Sequence, residues 1–163
     1  RKKVDAGACF VQTQIVFNVE RFREYMGRVV DLGLDKRVPI LAGVAPIRSV
    51  KAATFMRDEV PGMEVPDALV RRMAAAGDDK KKREAEGIAI CVEIIEEIRK
   101  IPGVAGFHIM PISWESAVAK ISKEAHLQPA IGSTRAPQDD GKAAVVAPSA
   151  AVAQVPAPIP LKQ

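Results

Sequence analysis

Cys9-Phe10-Val11-Gln12-Thr13-Gln14-Ile15-Val16-Phe17, followed at once by Asn18-Val19-Glu20-Arg21-Phe22, decides the fold. The stretch 9–17 is rich in β-branched and aromatic residues and reads as a buried strand. Asn18 suits a helix N-cap, because its short side chain can accept an orphan amide of the first turn. Beyond it Val19, Phe22, Met26, Val29 and Val30 recur at helical spacing, with Glu20, Arg21, Arg23, Glu24 and Arg28 on the other face. Gly33 ends that helix. A strand that hands directly to an amphipathic helix is one βα unit.

The unit recurs along the chain. Residues 38–45, Val-Pro-Ile-Leu-Ala-Gly-Val-Ala, form a second apolar run, with Pro39 best placed at its start. Ser49 is expected to cap a helix over 50–59, which Val60-Pro61-Gly62 breaks. A short helix over 66–76 begins with Pro66 near its first turn. A long helix over 78–101 carries the stripe Ile88, Cys91, Val92, Ile95 and Ile98 and stops at Pro102-Gly103. Residues 104–110 form a third strand, and Ser113 is expected to cap a last helix over 114–126. The order is β-α-β-α-α-β-α. The strands do not alternate polar with apolar residues, so they read as buried on both faces of a parallel sheet covered by helices. A doubly wound fold and part of a (β/α)8 barrel both fit three such strands. In a barrel, chemistry sits at the C-terminal ends of the strands.

A length of 163 residues fits one domain and excludes two large ones. Aromatic residues are only 4%, so the core must be aliphatic. A net charge of +4 is too small to make a nucleic-acid binder by itself. No apolar run approaches the roughly 20 residues that span a bilayer. Cys9 and Cys91 both sit in apolar segments, which points to a reduced cytoplasmic setting rather than a disulfide framework. Pro129, Pro137, Pro148, Pro156, Pro158 and Pro160 stand among small residues, so 129–163 reads as a disordered, Pro/Ala-rich tail beyond a folded part of 1–128. The chain opens on Arg1 rather than Met, as if cut from something longer.

Gln14 is the most informative polar residue, because an amide among Val, Ile and Phe is costly unless paired. It is either a satisfied core amide or an amide facing the mouth of a barrel, able to pair with the edge of a heterocycle. Gln12 lies two residues away on the same face of an ideal strand, and pattern does not choose between them. Lys2 and Lys3 are either a solvated basic end or a contact to an anionic cofactor. His108 reads as a packed strand residue, and His126 as a helix-terminus residue. The run Asp78-Asp79-Lys80-Lys81-Lys82-Arg83 places acids before bases at a helix start and reads as a solvated face.

Lys2-Lys3-Val4-Asp5-Ala6-Gly7-Ala8, then Thr13-Gln14, then Phe17-Asn18-Val19-Glu20 together resemble the methylenetetrahydrofolate reductase family. Ile40-Leu41-Ala42-Gly43-Val44-Ala45-Pro46-Ile47 and Gly106-Phe107-His108-Ile109-Met110 are similar to later segments of the same family. The resemblance covers about 1–128 and implies an α/β fold: the C-terminal portion of a (β/α)8 TIM barrel. Residues 1–8 would end its fifth helix, and the three strands would be its sixth to eighth. It implies FAD as cofactor, a folate substrate, and NAD(P)H or a partner electron-donor subunit. It also implies an N-terminal half of the barrel as partner, an oligomer, and a role in one-carbon metabolism and methionine biosynthesis. By resemblance Gln14 matches the glutamine that hydrogen-bonds the pterin, and Lys3 matches a flavin-binding lysine, with Lys2 beside it. The aromatic that stacks on the folate falls on Met56, with Phe55 next to it. A second substrate glutamine falls on Ala52, and an arginine of the last βα loop falls on Trp114. Those two departures fit a divergent branch that works with partner subunits. The competing expectation is a non-catalytic partial barrel that scaffolds or completes a partner.

Overall fold

Short polar side chains start three of the helices. In the computed structural model, which describes residues 1–127, the Asn18 side chain accepts from the Arg21 amide at 3.0 Å. Ser49 accepts from the Ala52 amide at 3.1 Å, and Asp79 from the Lys82 amide at 2.9 Å. Each bond satisfies one donor that the first helical turn leaves orphaned. The elements are α1 (Lys2–Asp5), β1 (Val11–Ile15), α2 (Val19–Asp31), β2 (Ile40–Val44), α3 (Val50–Glu59), α4 (Asp67–Ala75), α5 (Lys80–Arg99), β3 (Val104–Ile109) and α6 (Ser116–Glu124). The tail expected over 129–163 lies outside the described residues.

The strands form one parallel sheet in the order β1-β2-β3. Only the central strand has the double-sided burial expected of all three. Ile40, Ala42 and Val44 are buried on one face and Gly43 on the other, with Leu41 half-buried, whereas β1 exposes Gln12 and Gln14 and β3 is mostly half-buried. The difference follows from position: β1 and β3 are the outer strands among the described residues, so each has less protein around it than β2. Cys9 likewise is exposed rather than apolar-packed, and Phe10 beside it is exposed, because β1 begins only at Val11.

The core is aliphatic, as the composition requires. Ile47, Met26, Met73, Ile90, Ile95, Ile98 and Ile121 are wholly buried. Helix α5 supplies more of it than any other element, burying Ile90 and Ile94 as well as Ile88, Cys91, Ile95 and Ile98. Burial pushes the Cys91 thiol up to about 12, which keeps it protonated and inert. At Gly87 the α5 backbone comes directly against the β2–α3 loop. A Cβ there would overlap the Ile47 carbonyl oxygen and lie 2.9 Å from its carbonyl carbon.

Ser113 does not cap the last helix. Ile112 and Ser113 both take left-handed backbone conformations, with φ of 41° and 60°. The Ser113 carbonyl accepts from Arg48 Nη1 at 3.1 Å, and the helix begins only at Ser116. The two left-handed residues turn the chain sharply after β3, so the helical start moves past the serine.

Candidate functional site

The C-terminal half of β1 is irregular, and the irregularity is built from its own side chains. Val11 pairs with Ile40 and Gln12 with Leu41, but Ile15 pairs with Gly43. Strand β1 thus advances three residues where β2 advances two, a β-bulge at Thr13-Gln14. The Thr13 hydroxyl accepts from the Gly43 amide at 2.9 Å and donates to the Gln14 carbonyl at 2.8 Å. Gln14 Oε1 accepts from the Ile15 amide at 3.1 Å. Side chains therefore take over hydrogen bonds that the displaced ladder gives up.

The consequence for Gln14 is chemical. Its acceptor is committed to Ile15, and its NH2 group makes no hydrogen bond among the described residues. The side chain is exposed, so the amide is not a satisfied core group. It is a fixed carboxamide that offers donors outward. Gly43 makes the bulge possible: a Cβ there would lie 2.8 Å from both the Thr13 and the Gln14 carbonyl oxygens. Neither Thr13 nor Gly43 was singled out from the sequence as a site residue. A glycine within an apolar strand run, which often marks a close backbone approach, was the available signal. Replacing Thr13 by valine keeps the shape and leaves the Gly43 amide without its acceptor. Thermal unfolding should show a loss of about 1–3 kcal/mol.

Gln14 lines a cavity of about 510 Å³ along β1 and α2. The cavity is open to solvent and follows every residue from Val11 to Asn18, so it runs along the outer edge of β1. Lys3, Gln12, Thr13, Asn18, Arg21, Tyr25, Arg28 and Glu64 also line it. Lys3 and Arg28 make no ion pair among the described residues, so part of the cavity wall is cationic. Arg21 is neutralised: its Nη1 lies 2.5 Å from Glu64 Oε2, while Asn18 Nδ2 donates to Glu64 Oε1 at 2.8 Å. The Arg21 guanidinium, then the Asn18 amide, hold the Glu64 carboxyl below the usual carboxylate range.

The structure brings Gln14 and Lys3 to one cavity, with Gln12 beside them. It does not bring Lys2, Met56 or Phe55 there. Lys2 is exposed on α1. On α3, Met56 is buried in the core and Phe55 is 59% exposed. Ala52 lies in the same helix, and Trp114 is buried beside the left-handed turn after β3. His108 is half-buried and pairs in register with Gly43, level with the bulge.

The likeness to known proteins spans the same residues. The family model "Methylenetetrahydrofolate reductase" matches residues 1–126. Methylenetetrahydrofolate reductase 2 of Schizosaccharomyces pombe is 32% identical over 130 residues, covering 77% of this chain and 20% of that protein. The 5,10-methylenetetrahydrofolate reductase of Escherichia coli is 28% identical over 113 residues, 69% of this chain and 37% of its own length. A probable methylenetetrahydrofolate reductase (NADPH) of Caenorhabditis elegans is 23% identical over 123 residues, 76% of this chain and 18% of its own. The chain thus spans between about a fifth and two fifths of the length of these relatives. A match across nearly every described residue, on a chain whose Thr13-Gln14 motif forms a bulge at a cavity, settles the kinship: this chain belongs to the methylenetetrahydrofolate reductase family.

Proposed function

We propose that this chain forms the C-terminal part of a flavin-dependent (β/α)8 barrel that reduces methylenetetrahydrofolate to methyltetrahydrofolate. The observation that carries the reading is Gln14, held by the bulge with its donors open to a cavity that Lys3 also lines. The sequential order β1-β2-β3 is that of neighbouring strands in such a barrel, and equally that within one half of a doubly wound sheet, so the barrel reading rests on the family. The outer edges of β1 and β3 are where the N-terminal half of the barrel would pair.

The residues present fit FAD and a folate. The unpaired cations Lys3 and Arg28 suit an anionic group such as the phosphates of the cofactor, with Lys2 close in sequence. Gln14 suits a pterin edge, because a fixed carboxamide donates in a defined direction. Of the two residues proposed to cover the ring, Phe55 presents an exposed aromatic face and Met56 is tied into the core. When bound, FAD supplies hydride transfer, which no side chain of this site can perform. The chain's own share is binding and orientation: Gln14 would set the pterin's angle, and Thr13 and Gly43 would set Gln14.

The electron donor would be NAD(P)H or a partner subunit, and the setting the cytoplasm, within one-carbon metabolism and methionine biosynthesis. No described helix is long and apolar enough to cross a membrane. The sheet edges that stay unpaired among the described residues favour one second reading, a partial barrel that scaffolds or completes a partner within an oligomer. Purification of the full-length protein separates the two. A yellow protein whose colour is bleached by the donor and returns on adding methylenetetrahydrofolate is the expected result. Protein that holds no flavin even after reconstitution would favour the scaffold.

A further inference from the structure

Glu64 ties together two segments far apart in sequence. It lies in the connection between α3 and α4, and its carboxylate accepts from Asn18 Nδ2 and pairs with Arg21. Asn18 caps α2 and Arg21 lies in its first turn, shortly after β1. Neighbouring side chains fix the approach: Met63 and Val65 are buried on either side of Glu64, so the carboxylate is presented outward between two anchors. The Asn18 amide is then engaged at both ends, its oxygen capping α2 and its nitrogen donating to Glu64. Gly62, Glu64, Asn18 and Arg21 line the same cavity as Gln14.

We infer that Glu64 is a positioning residue for substrate, a clamp that holds the α3–α4 connection as a wall of the Gln14 cavity and keeps Arg21 from presenting a free cation there. The inference rests on the folate reading above. An uncharged pterin gains from a neutral, rigid wall beside Gln14. Without the carboxylate, the Arg21 guanidinium and the Asn18 NH2 group would stand unpaired in the cavity that Gln14 lines, free to draw in water or a competing acceptor.

The test uses the full-length flavoprotein with Glu64→Ala and Glu64→Gln, following methylenetetrahydrofolate reduction and, separately, flavin reduction by the electron donor. Glu64→Ala should raise KM for methylenetetrahydrofolate about tenfold with kcat and flavin reduction little changed. Glu64→Gln, which keeps one acceptor, should fall between. Amide hydrogen exchange of residues 60–65 should quicken in Glu64→Ala while the rest of the chain is unaffected. Equal loss in both half-reactions, or an unchanged KM despite quickened exchange, would overturn the positioning role. A wild-type flavoprotein that does not reduce methylenetetrahydrofolate at all would instead overturn the reading beneath it.

Discussion

Gly87→Ala is expected to destabilise the protein by about 3 kcal/mol or more, because overpacking against a backbone has no cheap escape. The added methyl would overlap the Ile47 carbonyl oxygen, and that carbonyl belongs to the segment joining β2 to α3. The usual gain from replacing glycine in a helix, about 1 kcal/mol, is too small to offset the clash. Helix α5 would have to lift away from the sheet and withdraw Ile90, Cys91 and Ile95 from the core. Gly27→Ala is the internal control. It lies in α2, and a Cβ there would meet nothing within 4 Å. That substitution should stabilise by about 0.5–1 kcal/mol. Denaturant unfolding of the two variants should therefore shift in opposite directions. Similar shifts would mean that the close approach at Ile47 is not a constraint on the fold.

Gln14→Ala should lower kcat/KM for methylenetetrahydrofolate by about tenfold to a hundredfold, the cost of a lost hydrogen bond and an unpartnered group on the pterin. Flavin reduction by the electron donor should be almost unaffected, because that step does not use the pterin contact. The alanine variant also removes the acceptor of the Ile15 amide, so it weakens the bulge as well as the contact. Gln14→Glu separates the two effects. Its carboxylate still accepts from Ile15 but has no NH2 to donate. Loss of folate turnover in Gln14→Glu with normal thermal stability would assign the role to the outward donors. Full turnover in Gln14→Glu would mean that the glutamine only holds the strand.

Much of this could be read from the residues alone, for local reasons. The Asn18 and Ser49 caps lie next to the helices they start, and the apolar periodicity of α2 needs only its own turn. What could not be read depends on contacts between segments. The bulge arises because Thr13 and Gly43 meet across two strands, 30 residues apart. The Glu64 clamp spans 46 residues to Asn18. Ser113 looked like a cap by type, yet the left-handed turn at Ile112-Ser113, braced by Arg48, moves the helix start beyond it. Gln14 was ambiguous for a similar reason. Its neighbours in sequence made it look interior, whereas its place in the outermost described strand leaves the amide exposed.

The role of Gln14 in folate reduction is tested most directly by the anaerobic return of flavin colour when methylenetetrahydrofolate is added to the reduced full-length protein, followed in wild type and Gln14→Glu. Colour should return rapidly in wild type and about tenfold or more slowly in the variant, with equal rates of flavin reduction in both. A reduced flavin that methylenetetrahydrofolate cannot reoxidise in wild type, or that it reoxidises equally fast in Gln14→Glu, would contradict that role.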